Sequence, residues 1–234
     1  MNRIGSVVRL QLVGWPSTLG GAWVLLAGIF LVNLALFASI GAGGDAVTIS
    51  PQTGAVSSIY IIMFVGGLTT FTQVFPFALA LSVLRRTFYV AFSLLLLAQS
   101  LLFGLLLTLC KLAEDATDGW GIGMDFFGVG PLDQDNVLLQ IVVYTVPFVV
   151  FGFSAAFLSI AYKRWAMIGM FVLAVTAVVV LGGLAVLITW QQWWTGIGRW
   201  IADQPTAALL GGWPLILAAL AAAAGYLTIR RVTP

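Results

Sequence analysis

Residues 81–92 read LSVLRRTFYVAF. Arg85 and Arg86 stand side by side between long apolar runs, with almost no polar sequence around them. Charge so abrupt inside greasy sequence marks a place where the chain turns outside a lipid core. Reading outward in both directions supports this. The chain is 61% hydrophobic and 8% charged, with a mean hydropathy of +1.09. An ordinary soluble domain carries about 25% charged residues. A chain of 234 residues cannot hide this much apolar surface in a water-soluble core, so its solvent is lipid.

A membrane span needs about 20 mostly apolar residues. Six stretches qualify: 21–41, 57–80, 89–110, 137–160, 166–189 and 207–228. The basic residues sort by side. Arg3 and Arg9 precede the first span, Arg85 and Arg86 follow the second, Lys163 and Arg164 the fourth, and Arg230 and Arg231 the sixth. Only Lys111 and Arg199 fall on the other side, together with all the acids: Asp45, Glu114, Asp115, Asp118, Asp125, Asp133, Asp135 and Asp203. Short loops rich in Lys and Arg stay cytoplasmic. The expectation is an all-α integral membrane protein, one transmembrane domain over 1–234, with six helices and both termini cytoplasmic. The first apolar run is too long, and starts too far from the N-terminus, for a cleaved signal core.

The segment before the first span has Ile4, Val7, Val8 and Leu12 on one helical face and Arg3, Ser6 and Arg9 away from it. This predicts an interfacial helix over 1–16, with Trp15 as anchor and Pro16 at the bend. Residues 190–206 carry a second stripe: Trp190, Trp193, Trp194, Ile197 and Ile201 at helical spacing, with Trp200 at the edge and Gln191, Thr195 and Arg199 opposite. The tryptophans read as interface anchors, and the segment as a short helix that could also cap an exit. The acids of 111–136 lack the spacing of a calcium loop and read as a solvated face.

The second apolar run poses a length problem. Counted from Ser57 to Leu84 it has 28 residues, about 42 Å of helix against a core of about 30 Å. Either it tilts and the arginines only mark its boundary, or Pro76 breaks it and 77–88 form a short surface helix.

The turn Ser82-Val83-Leu84-Arg85-Arg86-Thr87-Phe88 resembles the Gly-x-Thr-Arg-Arg-x-Phe turn of ABC-2 type transporter permeases, with Ser82 and Leu84 in place of Gly and Thr. The stretch GWGIGMDFFGVG looks like the outer loop of small actinobacterial permeases of that family. The whole chain is similar to such a subunit in its interfacial helix, its six spans and its cytoplasmic termini. The resemblance implies a non-enzymatic export subunit in a bacterial inner (plasma) membrane. A second permease chain and a separate ATP-binding cassette subunit would complete it, with ATP and Mg on that partner. It implies that Ser82, Leu84, Arg85, Arg86, Thr87 and Phe88 couple to the ATPase, with Lys163 and Arg164 as a second contact.

The residues by themselves agree with part of this. The sequence has no phosphate-binding G-x-x-x-x-G-K-[ST] loop, and its small net charge of +2 gives no case for nucleic acid. There is no His, and Cys110 is the only Cys. The spans hold no Asp, Glu, Lys or Arg away from their ends, unlike ion-coupled transporters. Their polar groups include Asn33, Thr69, Thr70, Thr72, Gln73, Gln99, Ser100, Gln140 and Tyr144. The cluster Thr69–Gln73, with Asn33 and Gln99, is the candidate translocation path for a hydrophobic or amphipathic drug, peptide or lipid. Gly182, Gly183 and Ala221–Ala224 read as close helix packing. A six-span scaffold or sensor that transports nothing is the alternative.

Overall fold

The structure, a computed structural model, describes residues 15–42 and 53–229. Residues 1–14 of the expected interfacial helix, and Arg230 and Arg231, fall outside these residues. The described chain is helical, with no strand among the described residues. Helix α1 runs Trp15–Ala42, so Pro16 sits in its first turn, where a missing N–H costs nothing. Helix α2, Ser57–Thr69, continues through a π-helical segment, Thr70–Val74, into α3, Phe75–Ala80. Helix α4 is Arg85–Ala116, and α5 is Val137–Trp190. Helix α6 is Trp194–Ala202, and α7 is Trp213–Ile229, entered through a π segment at Ala207–Gly212.

Five helical segments are long and apolar enough to cross a membrane. The fourth of them, α5, has 54 residues, about 81 Å at 1.5 Å per residue, far more than a bilayer core of about 30 Å. It is broken at Ala166, whose φ of 51° and ψ of −160° lie outside the helical region. Few non-glycine residues adopt such a backbone. The break coincides with the basic stretch Lys163-Arg164-Trp165, where the Arg164 guanidinium lies 5.3 Å from the centre of the Trp165 ring.

The first part of α5 is the hub. Helix α5 packs on α2, α4 and α7. Its buried side chains, from Gln140 through Phe148 and Phe153 to Ala161, all precede the break. Close approach comes from small residues, as membrane helices require without a hydrophobic force between them. A Cβ on Gly67 would stand 2.8 Å from Ala155 Cβ, and one on Gly104 would run into Thr145, 3.1 Å from its Cα. A Cβ on Gly225 would stand 2.8 Å from the Tyr89 hydroxyl. Gly182 and Gly183, expected at a packing face, have nothing within 4 Å and are exposed. Of Ala221–Ala224, only Ala223 is fully exposed; the others are half-buried. The glycine pair at 182–183 meets no neighbouring helix, whereas Gly67, Gly104, Gly152 and Gly225 stand where side chains of other helices come close.

Two ends can be named from their charges. One carries 53–56 and 117–136, joined where the Thr53 amide donates to the Asp125 carbonyl at 3.2 Å. The other carries the turn Leu81–Leu84 and the Lys163–Ala166 break.

Gly104→Leu forces a side chain into the Thr145 backbone and should cost about 1–3 kcal/mol, as overpacking does. Gly182→Leu should leave the melting temperature of the detergent-solubilised protein unchanged. Equal effects of the two substitutions would contradict the packing described.

Candidate functional site

At the acidic end the chain builds a folded cap. Glu114, in the last turn of α4, is only 3% exposed. Its carboxylate accepts from the Trp120 indole at 2.9 Å and from three successive backbone amides, Phe126 at 3.0 Å, Phe127 at 3.1 Å and Gly128 at 2.9 Å. A buried carboxylate is costly unless its oxygens are satisfied, and here four donors satisfy them. The reading of this stretch as a solvated acidic face is therefore corrected for Glu114. Nothing in residue type separates it from Asp115 or Asp118. The signal was its place on α4, on the face that turns inward.

The rest of the cap follows from the same helices. Lys111, nearly buried, pairs with Asp115 at 2.8 Å and Asp133 at 2.9 Å, tying loop to helix. The Tyr144 hydroxyl donates to the Phe127 carbonyl at 2.7 Å. Gln140 accepts from the Gln134 amide and donates to the Leu132 carbonyl, both at 2.8 Å. These two polar residues lie in the membrane-length helix α5, as read from the sequence, and hold the cap from below. Phe30 of α1 closes the side, its ring centre 4.9 Å from Trp120 and 5.2 Å from Phe126. Gly119 makes the tight turn possible: its φ is +65°, and a Cβ there would stand 2.5 Å from the Met124 amide.

At the basic end, of the two alternatives for the second apolar run, the short surface helix over 77–88 does not form. Pro76 does not end the second span; the π segment Thr70–Val74 absorbs it and the helix continues to Ala80. Proline lacks an N–H, so the carbonyl four residues back, that of Thr72, loses the bond it would accept from residue 76. Lys163 Nζ donates to that carbonyl at 3.3 Å. Lys163, expected on a partner-facing loop, thus bridges α5 to the Pro76 break.

The connection is a four-residue turn. The Ser82 amide bonds the Leu79 carbonyl at 2.9 Å and the Val83 amide bonds Ala78 at 3.1 Å, with Ser82 at φ 60°. This is the Schellman pattern, with a left-handed residue just past the helix end. Leu84 is the N-cap of α4 and makes no side-chain cap. Arg85 is half-buried, Arg86 exposed, Thr87 half-buried.

Phe88, which the resemblance places among the residues coupling to an ATPase, is fully buried inside this chain, 5.1 Å from Phe75 and 5.7 Å from Phe71 between ring centres. Its neighbour Tyr89 donates to the Ala222 carbonyl at 2.7 Å. The exposed apolar side chains of the turn are Phe77, Leu81 and Leu84. Helix phase explains the reversal: α4 begins at Arg85, which turns Phe88 and Tyr89 inward.

The candidate path residues are scattered and largely self-satisfied. Asn33 bonds the Ile29 carbonyl at 2.8 Å, within α1. Thr69 and Thr70 both bond the Gly66 carbonyl, at 2.8 and 2.9 Å, and Thr72 bonds Leu68 at 2.8 Å. These hydroxyls service the backbone around the π segment, as threonines in apolar helices do. Gln73 is exposed and Gln99 half-buried. The residues do not converge on one described cavity. Trp190, Trp193, Trp194 and Trp200 are all exposed on or beside α6. Among the described residues no group of three His, Cys, Asp or Glu could hold a metal. Comparison with protein-family models, with curated proteins and with solved structures finds no match for this chain.

Replacing Glu114 by Gln turns one acceptor oxygen into a donor facing backbone amides. A buried donor left unsatisfied costs about 1–3 kcal/mol. Hydrogen exchange should therefore quicken across 118–130 in Glu114→Gln and stay slow in Asp118→Asn. At the other end, Lys163→Met should lower stability by about 1 kcal/mol. In a Pro76→Ala background, where residue 76 can donate again, the loss should shrink. A Lys163→Met cost unchanged by Pro76→Ala in detergent melting would dissociate the two.

Proposed function

We propose that this chain is the membrane-spanning permease subunit of an ATP-driven exporter. It crosses a bacterial inner membrane six times with both termini cytoplasmic, the sixth crossing arising from division of α5 at Ala166. ATP and Mg are handled by a separate cassette subunit, and a second permease chain completes the pathway. The substrate class is hydrophobic or amphipathic.

One observation carries this reading. The turn 81–88 has the backbone that the resembled Gly-x-Thr-Arg-Arg-x-Phe motif calls for, although two of its residues differ. The motif's Gly falls at Ser82, whose φ is 60°. Its Thr falls at Leu84, the N-cap of α4. Glycine suits the first position and threonine the second for plain backbone reasons. The motif's Phe falls at Phe88, which locks the turn to α3. The partner-facing surface is then Phe77, Leu81, Leu84 and Arg86, rather than Phe88. A turn clamped by buried rings and presenting apolar side chains suits force transmission from a moving partner.

A non-transporting scaffold would not need such a surface, and the test separates the two. The tagged chain purified in mild detergent from its native membrane should bring an ATPase subunit with it. An apolar anchor at an interface is worth about 2 kcal/mol, so Leu81→Asn should cut the recovered ATPase roughly thirtyfold in affinity. Ser82→Gly should raise thermal stability by about 1 kcal/mol and leave association intact. Purification without any ATPase, under conditions that keep the chain monodisperse, favours the scaffold.

A further inference from the structure

Helix α6 holds a feature that neither the cap nor the turn uses. It is fixed at both ends: the Trp194 indole donates to the Thr189 hydroxyl at 3.0 Å, and the Trp200 ring centre lies 5.6 Å from that of Trp213. Between these anchors is an open depression of about 390 Å³. Its lining changes character across its width. Thr195 and Arg199, four residues apart on α6, supply the polar part together with Gln192 of the preceding turn, and Trp193 and Ile197 the apolar part.

Arg199 is the charged group of this lining. Among the described residues, Lys111 is committed to Asp115 and Asp133, whereas Arg199 enters no ion pair. Asp203, one helical turn on, makes no ion pair with it. A guanidinium presents a planar fork of donors that fits phosphate oxygens. Tryptophan in the same concavity is the side chain that settles at the boundary between headgroups and acyl chains. Apolar and cationic linings side by side match an amphiphile at its own polar–apolar junction, not a free ion.

We propose that this depression holds a membrane phospholipid, with its phosphate on Arg199 and Thr195 and its upper acyl carbons over Trp193 and Ile197. The site needs only that the chain be embedded in a bilayer, so it stands for an exporter and for a scaffold alike.

The test uses the full chain released from lipid nanodiscs and weighed intact by native mass spectrometry. Wild type should keep a phosphatidylglycerol adduct that Arg199→Gln loses about fivefold, the effect of one basic side chain near an anionic lipid surface. Arg199→Lys should retain most of it. Diacylglycerol, which lacks the phosphate, should not be retained, and excess inorganic phosphate should not displace the lipid. Equal retention by Arg199→Gln, with its elution profile unchanged, would overturn the proposal. So would equal retention of diacylglycerol, or displacement by inorganic phosphate, which would make the site one for a small anion.

Discussion

A backbone group in an apolar surround must find its partner inside the protein, because no water is at hand to take its place. Pro76 puts that requirement to the test near the basic end of the second span. The missing amide frees the Thr72 carbonyl, the helix widens into a π segment, and Lys163 reaches across from α5 to the freed oxygen. Thr69, Thr70 and Thr72 turn their hydroxyls back onto neighbouring carbonyls of the same stretch. One residue without an N–H therefore stands in a stretch whose carbonyls are served by four side chains. It also determines where α5 must sit, since Lys163 cannot reach Thr72 unless the two helices are close. The glycine notch at Gly67 against Ala155 supplies that closeness.

The acidic end answers the same requirement with opposite chemistry. There the loop amides of Phe126, Phe127 and Gly128 would be buried without partners, and Glu114 gathers them on one carboxylate. Helix α4 joins the two solutions. It starts at the buried Phe88 and Tyr89 and ends at Lys111 and Glu114. Over 32 residues it is about 48 Å long, enough to cross the bilayer core and reach beyond it. The turn and the cap are thus two ends of one rigid element, held midway by Gly104 against Thr145.

Beyond the α5 break the chain is different. The most apolar window of α5 has no buried residue. Side chains such as Phe171, Val178 and Val186 are exposed. In water such a surface would be untenable, but in lipid it is ordinary, because tails are as apolar as the side chains they touch. A helix apolar on every face is what a lipid-exposed span presents.

Composition and charge determined the solvent, the helical class and the approximate place of each apolar segment. Those depend on summed transfer energies along the chain, which local sequence contains. The left-handed residue at 82 and the break beside Lys163-Arg164 were near positions that the sequence marks with charge. Three things were decided by tertiary structure alone. Phe88 turned inward because its direction depends on where α4 starts, a phase that no periodicity in RRTFYVAF fixes. Glu114 was buried because burial of an acid depends on whether distant amides converge on it, and residues 126–128 do so only once the cap folds. Gly182 and Gly183 were left open because a glycine becomes a contact only where another helix approaches. In each case the deciding quantity is how separate elements come together, which no single stretch of sequence contains.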